Sequence, residues 1–110
     1  MGFRELALAQ AGAVEAPHFG SPAFRVSGKI FAQLSKGEDT GLVKLPLGTQ
    51  EWLLASHPAE CWSDPQWGRH GWTHIRWAAL EATLLCELIA SSREAAGRRT
   101  SSSKRARRIA

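Results

Sequence analysis

The sequence predicts an α+β domain: a small antiparallel sheet of about four to five strands, in a hairpin meander, packed with N-terminal, middle and long C-terminal helices. In the segment 18–48, Gly and Pro separate short runs that contain Phe, Val and Ile, which is typical of strands joined by tight turns. On both sides of this segment, apolar residues recur at helical spacing. A chain of 110 residues is long enough for one such domain.

The N-terminal segment predicts an amphipathic helix. Its apolar positions follow a helical period up to residue 14, and Pro17 ends the helix because it disfavours helical geometry at the residue before it. We expect the apolar face of this helix to cover the sheet. The positions that define the face are Phe3, Leu6, Ala7, Gln10, Ala11 and Val14.

The meander is predicted to contain strands at 18–19, 23–26, 29–35 and 41–45, with Ser27 and Gly28 as a two-residue hairpin loop. This loop places Phe24 opposite Phe31 and puts Arg25 and Lys29 on opposite sides of the hairpin. Both sides are then partly apolar. Either helices cover both faces, or one face offers apolar surface to a partner. One side carries Phe24, Val26, Lys29, Phe31 and Gln33, and the other carries Arg25, Ile30, Ala32 and Leu34.

Three further elements complete the domain. Thr49 is predicted to cap a short helix that Pro58 ends, with Trp52 and Leu53 facing inward. An irregular connection over 59–71 leads to a strand over 72–77, in which Thr73, Ile75 and Trp77 share one side. The run 78–96 predicts a long amphipathic helix that ends near Gly97, with Cys86 packed as a small buried side chain.

The charge is divided unevenly along the chain. Residues 1–97 carry eight basic and ten acidic residues, a net charge of −2, whereas no acidic residue follows Glu94. We therefore predict a domain at 1–97 and a disordered basic tail at 98–110, because the tail has too few apolar residues to offset the entropy of ordering. The tail cations, Arg98, Arg99, Lys104, Arg105, Arg107 and Arg108, are typical of an arm that contacts phosphates without reading sequence.

Several classes of function are disfavoured. No apolar run approaches the roughly 18 residues of a membrane span, and the N-terminus lacks an export signal, so we expect a cytoplasmic protein. His57, Cys61, His70 and His74 lie within eighteen residues. His70 and His74 would nevertheless stand about 13 Å apart in a strand, too far to share one metal ion. With no nucleophile or phosphate-binding motif, we expect no enzyme activity, metal or cofactor.

The five tryptophans allow two interpretations. They could form a stacking platform for bases or a cage for a cationic ligand, or they could pack within the fold. Packing is the interpretation for Trp52 and Trp77. Both interpretations remain open for Trp62, Trp67 and Trp72.

Four segments, "PHFGSPAFRVSGKIFAQL", "GLVKLP", "WGRHGWTHIRW" and "LLCELIASSREA", resemble the bacterial MmcQ/YjbR-like family. The resemblance runs from about Leu6 to Ala96. It implies an antiparallel sheet with helices, similar to frataxin-like and secretion-chaperone-like folds, and a "double wing" DNA-binding module. The phosphate contacts would then come from Arg25, Lys29, Lys44, Arg69 and Arg76, with the tail adding nonspecific attraction.

Two functions therefore remain at this point. The first is DNA binding, mainly through phosphate contacts by sheet-edge wings and the tail, without a recognition helix that reads bases. The alternative is a protein-interaction or chaperone-like module that captures a protein or peptide partner on the apolar hairpin face, through Phe24, Val26 and Phe31.

Overall fold

The computed structural model describes the backbone of residues 2–109 and the side chains of residues 2–96. The predicted α+β class is confirmed, and the described residues form three helices and a six-stranded antiparallel sheet. The predicted basic tail at 98–110 lies outside the residues whose side chains are described. The helices are α1 Phe3–Leu8, α2 Leu47–Ser56 and α3 Ala82–Ile109, and the strands are β1 Val14–His18, β2 Ser21–Val26, β3 Lys29–Leu34, β4 Gly41–Lys44, β5 Cys61–Trp62 and β6 Trp72–Ile75.

The strands lie in the order β1-β2-β3-β4-β6-β5. Helices α1 and α3 pack on the central strands from one side, and α2 lies beside β5. On β4 and β6, buried residues that face the helices alternate with half-buried residues on the opposite face, which we call the open face. The core therefore lies between the sheet and the helices, and includes Phe3, Phe24, Phe31, Val43, Leu53, Ile75 and Ile89.

The N-terminal helix is shorter than predicted. It ends at Leu8, and the chain turns through Gly12, whose φ of +78° lies in the left-handed region. Val14, expected on the helix, instead begins β1 and pairs with Arg25 of β2. The predicted strand at 18–19 is the end of β1 followed by a turn at Phe19 and Gly20.

The β2–β3 hairpin contains a β-bulge that the sequence did not predict. Arg25 pairs with Ile30 as expected, but Phe24 pairs with Ala32 because the register shifts by one residue. Phe31 is the extra residue, and both it and Ala32 are buried. The predicted pairing of Phe24 with Phe31 was therefore wrong, and the shift moves Gln33 away from the side of Phe31.

Helix α2 begins at Leu47, two residues before the predicted cap at Thr49, and Pro46 occupies its N-cap position without a side-chain capping hydrogen bond. Trp52 is 51% exposed, contrary to the prediction that it faces inward. The inward positions belong to Leu53, as predicted, and to Gln50. The Gln50 amide donates hydrogen bonds to Gly68 O, Trp72 O and Thr73 Oγ1.

The remaining differences lie in the C-terminal half. The connection predicted to be irregular contains the short strand β5 and a 3-10 turn at Gly68–His70. Helix α3 begins at Ala82 and continues past Gly97. Cys86 is exposed rather than buried, because it lies outside the helix face whose inward positions include Leu85 and Ile89. Within the described residues, no helix is long and apolar enough to cross a membrane.

Candidate nucleic-acid interface

A basic hollow lies at the end of the sheet where the β2–β3 hairpin turns. It encloses about 340 Å³, and we call it the cationic depression. Among the described residues, its lining contains three cations and no carboxylate. The lining consists of Arg25, Lys29, Ile30, Lys44, Trp72 and Ala96.

The depression follows from the way in which β3 and β4 separate. Their pairing extends from Leu34 with Gly41 to Ala32 with Val43 and stops there. Beyond that point, the buried Ser92 hydroxyl of α3 donates to the Phe31 carbonyl and accepts from the Lys44 backbone N–H at 2.8 Å. Helix α3 thus satisfies backbone groups that a continued strand pair would have satisfied.

Arg25 and Lys29 line this same depression, although the hairpin pairing predicted that they point to opposite sides. Their backbone positions follow the predicted pairs, Arg25 with Ile30 and Val26 with Lys29. Both residues lie beside the loop, where long side chains can reach around the end of the hairpin. The Arg25 guanidinium also donates to Gly28 O at 3.4 Å. The two cations therefore belong to one patch.

A second, larger hollow lies on the open face beside the cationic depression. It encloses about 400 Å³, and we call it the aromatic pocket. Residues on the central strands β3 and β4 form its middle, and residues from β1, β6 and the 63–71 connection lie around them. The lining consists of His18, Ile30, Gln33, Leu42, Asp64, Trp67, Trp72 and His74.

Asp64 organises one side of the aromatic pocket. Its Oδ1 accepts backbone N–H bonds from Gln66 at 3.1 Å and Trp67 at 2.7 Å, while Oδ2 lies 3.6 Å from His74 Nε2. The backbone N–H of Trp67 is the largest cause of the lowered pKa of the Asp64 carboxyl, and the contact with His74 adds to it. Asp64 is therefore a stable anion that holds the turn preceding the Trp67 side chain.

Stacked rings extend outward from His74 along β5 and β6. The Trp62 ring is parallel to the His74 ring, with their centroids 5.3 Å apart. The Arg76 guanidinium lies over the Trp62 ring, 5.3 Å from its centroid. Arg76 thus belongs to the sheet edge at β5 and not to the cationic depression.

The two hollows are adjacent, because Ile30 and Trp72 line both. Lys44 Nζ lies 5.9 Å from the Trp72 ring centroid. A cation of the depression therefore lies beside an aromatic ring of the pocket. We call the two adjoining hollows together the groove, with the depression as its cationic end and the pocket as its aromatic end.

The other residues predicted to bind nucleic acid or a partner are separated from this groove. Arg69 is exposed on the 3-10 turn and lines neither hollow. Phe24, Val26 and Phe31 are buried between the sheet and the helices, so this side of the hairpin is core rather than exposed surface. The side chains of Arg98, Arg99, Lys104, Arg105, Arg107 and Arg108 lie outside the described residues.

The histidines and Cys61, which lie close together in the sequence, do not form one cluster in the described structure. His74 faces Asp64, whereas His57 Nδ1 lies 3.8 Å from Glu60 Oε1. Within the part of the chain that the structure describes, no three His, Cys, Asp or Glu side chains are grouped so that they could hold a metal ion. Burial raises the pKa of the Cys61 thiol to about 11, with the nearby Glu60 charge as a smaller cause.

Four lining residues of the pocket were not identified from the sequence: His18, Gln33, Leu42 and Asp64. Gln33 was assigned to the wrong side because the bulge was unknown. Asp64 carried a usable signal, because it is followed by Pro65. An Asp-Pro pair is typical of a turn in which the Asp side chain accepts a hydrogen bond from the backbone N–H two residues later.

These features define a small α+β protein whose sheet is covered by helices on one face and carries a groove on the other. The sequence model of the YjbR family matches residues 8–95, so the chain belongs to the YjbR family. This match confirms the resemblance seen in the sequence.

The fold is also similar to the crystal structure of Deinococcus radiodurans protein DR2400, which is described as a DUF419 domain. The TM-score is 0.71 and the sequence identity is 19%, over 81% of this chain and 71% of that chain. At this identity the similarity concerns the fold alone. No match was found among the curated proteins.

Proposed function

We propose that this protein binds DNA without marked sequence preference, through phosphate contacts at the cationic depression and the basic tail. The observation that carries the proposal is the convergence of Arg25, Lys29 and Lys44, from three different strands, in one hollow. Each phosphate that such cations neutralise releases condensed counterions, which favours binding. In this arrangement the β2–β3 hairpin acts as a wing at the edge of the groove.

The start of the tail supports the same surface. Ala96 lines the cationic depression, and chain connectivity keeps the Cα atom of Arg98 within about 8 Å of the Ala96 Cα atom. The tail therefore begins close to the three cations of the sheet. A net charge of −2 over residues 1–97 does not oppose this, because local fields depend on where charges gather.

The proposed activity is binding without chemistry. The thiol of Cys61, which lies in the same segment as His57, is buried, and its raised pKa of about 11 keeps it protonated and poorly nucleophilic near neutral pH. The apolar hairpin face, the alternative partner site, is buried in the core. Binding through phosphate contacts is thus the function that the described geometry favours.

The salt dependence of binding to a short mixed-sequence duplex tests this proposal. We expect the logarithm of the association constant to fall linearly with the logarithm of salt concentration. Lys29→Gln should make the slope shallower by about 0.9, and Arg25→Gln/Lys29→Gln by about 1.8, if each cation neutralises one phosphate. Fluorescence anisotropy over a salt series would measure these slopes.

Lys36→Gln is the matched control, because Lys36 is an exposed lysine in the β3–β4 turn that lines neither hollow. It should leave the slope unchanged. A full-length variant with all six tail cations replaced by Gln would separate the tail's share of the slope. Equal slopes for the wild type and the Arg25→Gln/Lys29→Gln variant would remove the cationic depression from the proposal, and no binding at about 50 mM salt would refute DNA binding altogether.

A further inference from the structure

We infer that the aromatic pocket takes an unstacked base of a single strand whose phosphates lie in the cationic depression. This inference rests on the proposed function, because it assigns a ligand to the adjoining half of the same groove. It adds a preference that phosphate contacts alone do not supply: a base in a duplex is already stacked and paired, whereas a base in a single strand is free to enter.

The shape and chemistry of the pocket suit a base. Its volume of about 400 Å³ lies within the range of small-molecule sites, roughly 300–1,000 Å³. Ile30 and Leu42 supply an apolar floor, and Trp67 and Trp72 supply ring faces on which any base can stack. Trp67 is 55% exposed, so its side chain is accessible to a ligand.

Polar groups in the pocket match the edge of a base. Gln33 lies among the apolar floor residues, and its side-chain amide can both donate and accept hydrogen bonds. His18, on the β1 side of the pocket, offers ring nitrogens of the same kind, whereas His74 Nε2 faces Asp64. Groups that both donate and accept tolerate several bases, in keeping with binding that has little sequence preference.

The charges set the orientation of the nucleotide. Lys44 lies beside the Trp72 ring, so a phosphate held by Lys44 would place its base next to Trp72. Asp64 lines the opposite part of the pocket as a carboxylate, and it would repel a phosphate there. The phosphate is therefore favoured at the cationic end and the base at the aromatic end.

Phe19 adds an aromatic ring next to the pocket. It is 89% exposed in the β1–β2 turn, and its ring centroid lies 4.5 Å from that of His18. Its φ of 52° lies in the left-handed region, which costs energy for a bulky residue and gains no core contact in return. An exposed aromatic ring held in this way is available to stack on a neighbouring base.

The test compares two single strands of equal charge: a 12-nucleotide oligo-dT and a 12-unit abasic strand. The full-length protein should bind oligo-dT about tenfold or more tightly than the abasic strand at the same low salt concentration, since stacking a base on an aromatic side chain contributes a factor of roughly 5–150. Trp67→Ala should reduce this preference to about threefold or less while leaving the affinity for the abasic strand unchanged.

Trp52→Ala is the matched control. Trp52 is 51% exposed, close to the 55% of Trp67, but it lies on α2 outside both hollows. It should leave the preference unchanged. A second pocket variant, Trp72→Leu, should lower the preference as Trp67→Ala does, and the Tm of each variant would show that it folds.

The two hypotheses fail in different ways. Equal affinities of the wild type for oligo-dT and the abasic strand, with a steep salt dependence for both, would overturn the base pocket and leave the proposed function intact. No binding of either strand at about 50 mM salt, with the duplex still bound, would overturn the inference alone, and no binding of the strands or of the duplex would overturn both. Self-association that Trp67→Ala abolishes, without any preference for oligo-dT, would assign the pocket to a second copy of the chain and overturn the inference.

Discussion

At the scale of single residues, Asp64 links the structure of the 63–71 connection to the proposed base site. One carboxylate oxygen closes the turn before the Trp67 side chain, and the other faces the His74 ring. Both Trp67 and His74 line the aromatic pocket. Asp64 is therefore a positioning residue for two sides of the pocket.

Replacement of Asp64 tests this role. Asp64→Ala should lower the oligo-dT preference over the abasic strand severalfold, because Trp67 loses the backbone contact that holds its turn. Asp64→Asn should lower the preference less, because its side-chain oxygen still accepts the N–H bonds. Since the folded-state pKa of Asp64 is lowered from 3.8, its stabilising contribution is present above about pH 4 and lost as the pH falls through the lower folded value. An unchanged preference in Asp64→Ala would contradict the positioning role.

Side-chain positions were predictable where one pattern dominated. Thr73 and Ile75 are buried on β6 and Trp72 and His74 are half-buried, as the strand alternation predicted. Trp52 was misplaced because a polar residue, Gln50, occupies an inward position of α2, and apolar periodicity cannot identify such a residue. Its three hydrogen bonds to the 68–73 region depend on tertiary structure.

At the scale of secondary-structure elements, the bulge at Phe31 and the Ser92 hydroxyl together shape the cationic end of the groove. The bulge adds a large apolar side chain to the core, and β3 pairs with β4 only from Ala32 onward, so the two strands are apart at the bulge. Ser92 then bonds to Phe31 and Lys44 from α3. The sequence contains both residues but no local signal for the bulge. The position of the bulge depends on the space in the core that the Phe31 side chain fills, and that space is set by tertiary structure.

Ser92→Ala should destabilise the protein, because it leaves the Phe31 carbonyl and the Lys44 N–H without their hydroxyl partner. The expected cost is about 1–3 kcal/mol for each polar group left unsatisfied in a buried site. Ser91→Ala is the matched control at the preceding, half-buried position of α3, and it should have little effect. Urea denaturation would measure both changes, and equal stability of Ser92→Ala and the wild type would show that the bridge is dispensable.

At the scale of the whole molecule, the placement of charge matters more than its sum. Arg4 is held by Glu15 and Glu38, and Arg93 donates to Ala11 O. The hydrogen bonds between Arg4 and Glu38 lower the pKa of the Glu38 carboxyl. These cations serve the fold on the side of α1 and α3, whereas Arg25, Lys29 and Lys44 line the groove. Sequence reasoning named the groove cations, but it could not bring them together, because their convergence depends on the hairpin end and the strand separation.

The tryptophan indole N–H signals in a proton–nitrogen NMR spectrum give the most direct test of the central claim that the open-face groove binds nucleic acid. Addition of oligo-dT at low salt should shift the signals of Trp67 and Trp72, which line the groove. The signals of Trp52 on α2 and of Trp77, whose indole donates to Glu38 O at 2.9 Å, should stay in place. Binding that leaves Trp67 and Trp72 unshifted, or that shifts Trp52 instead, would contradict the account.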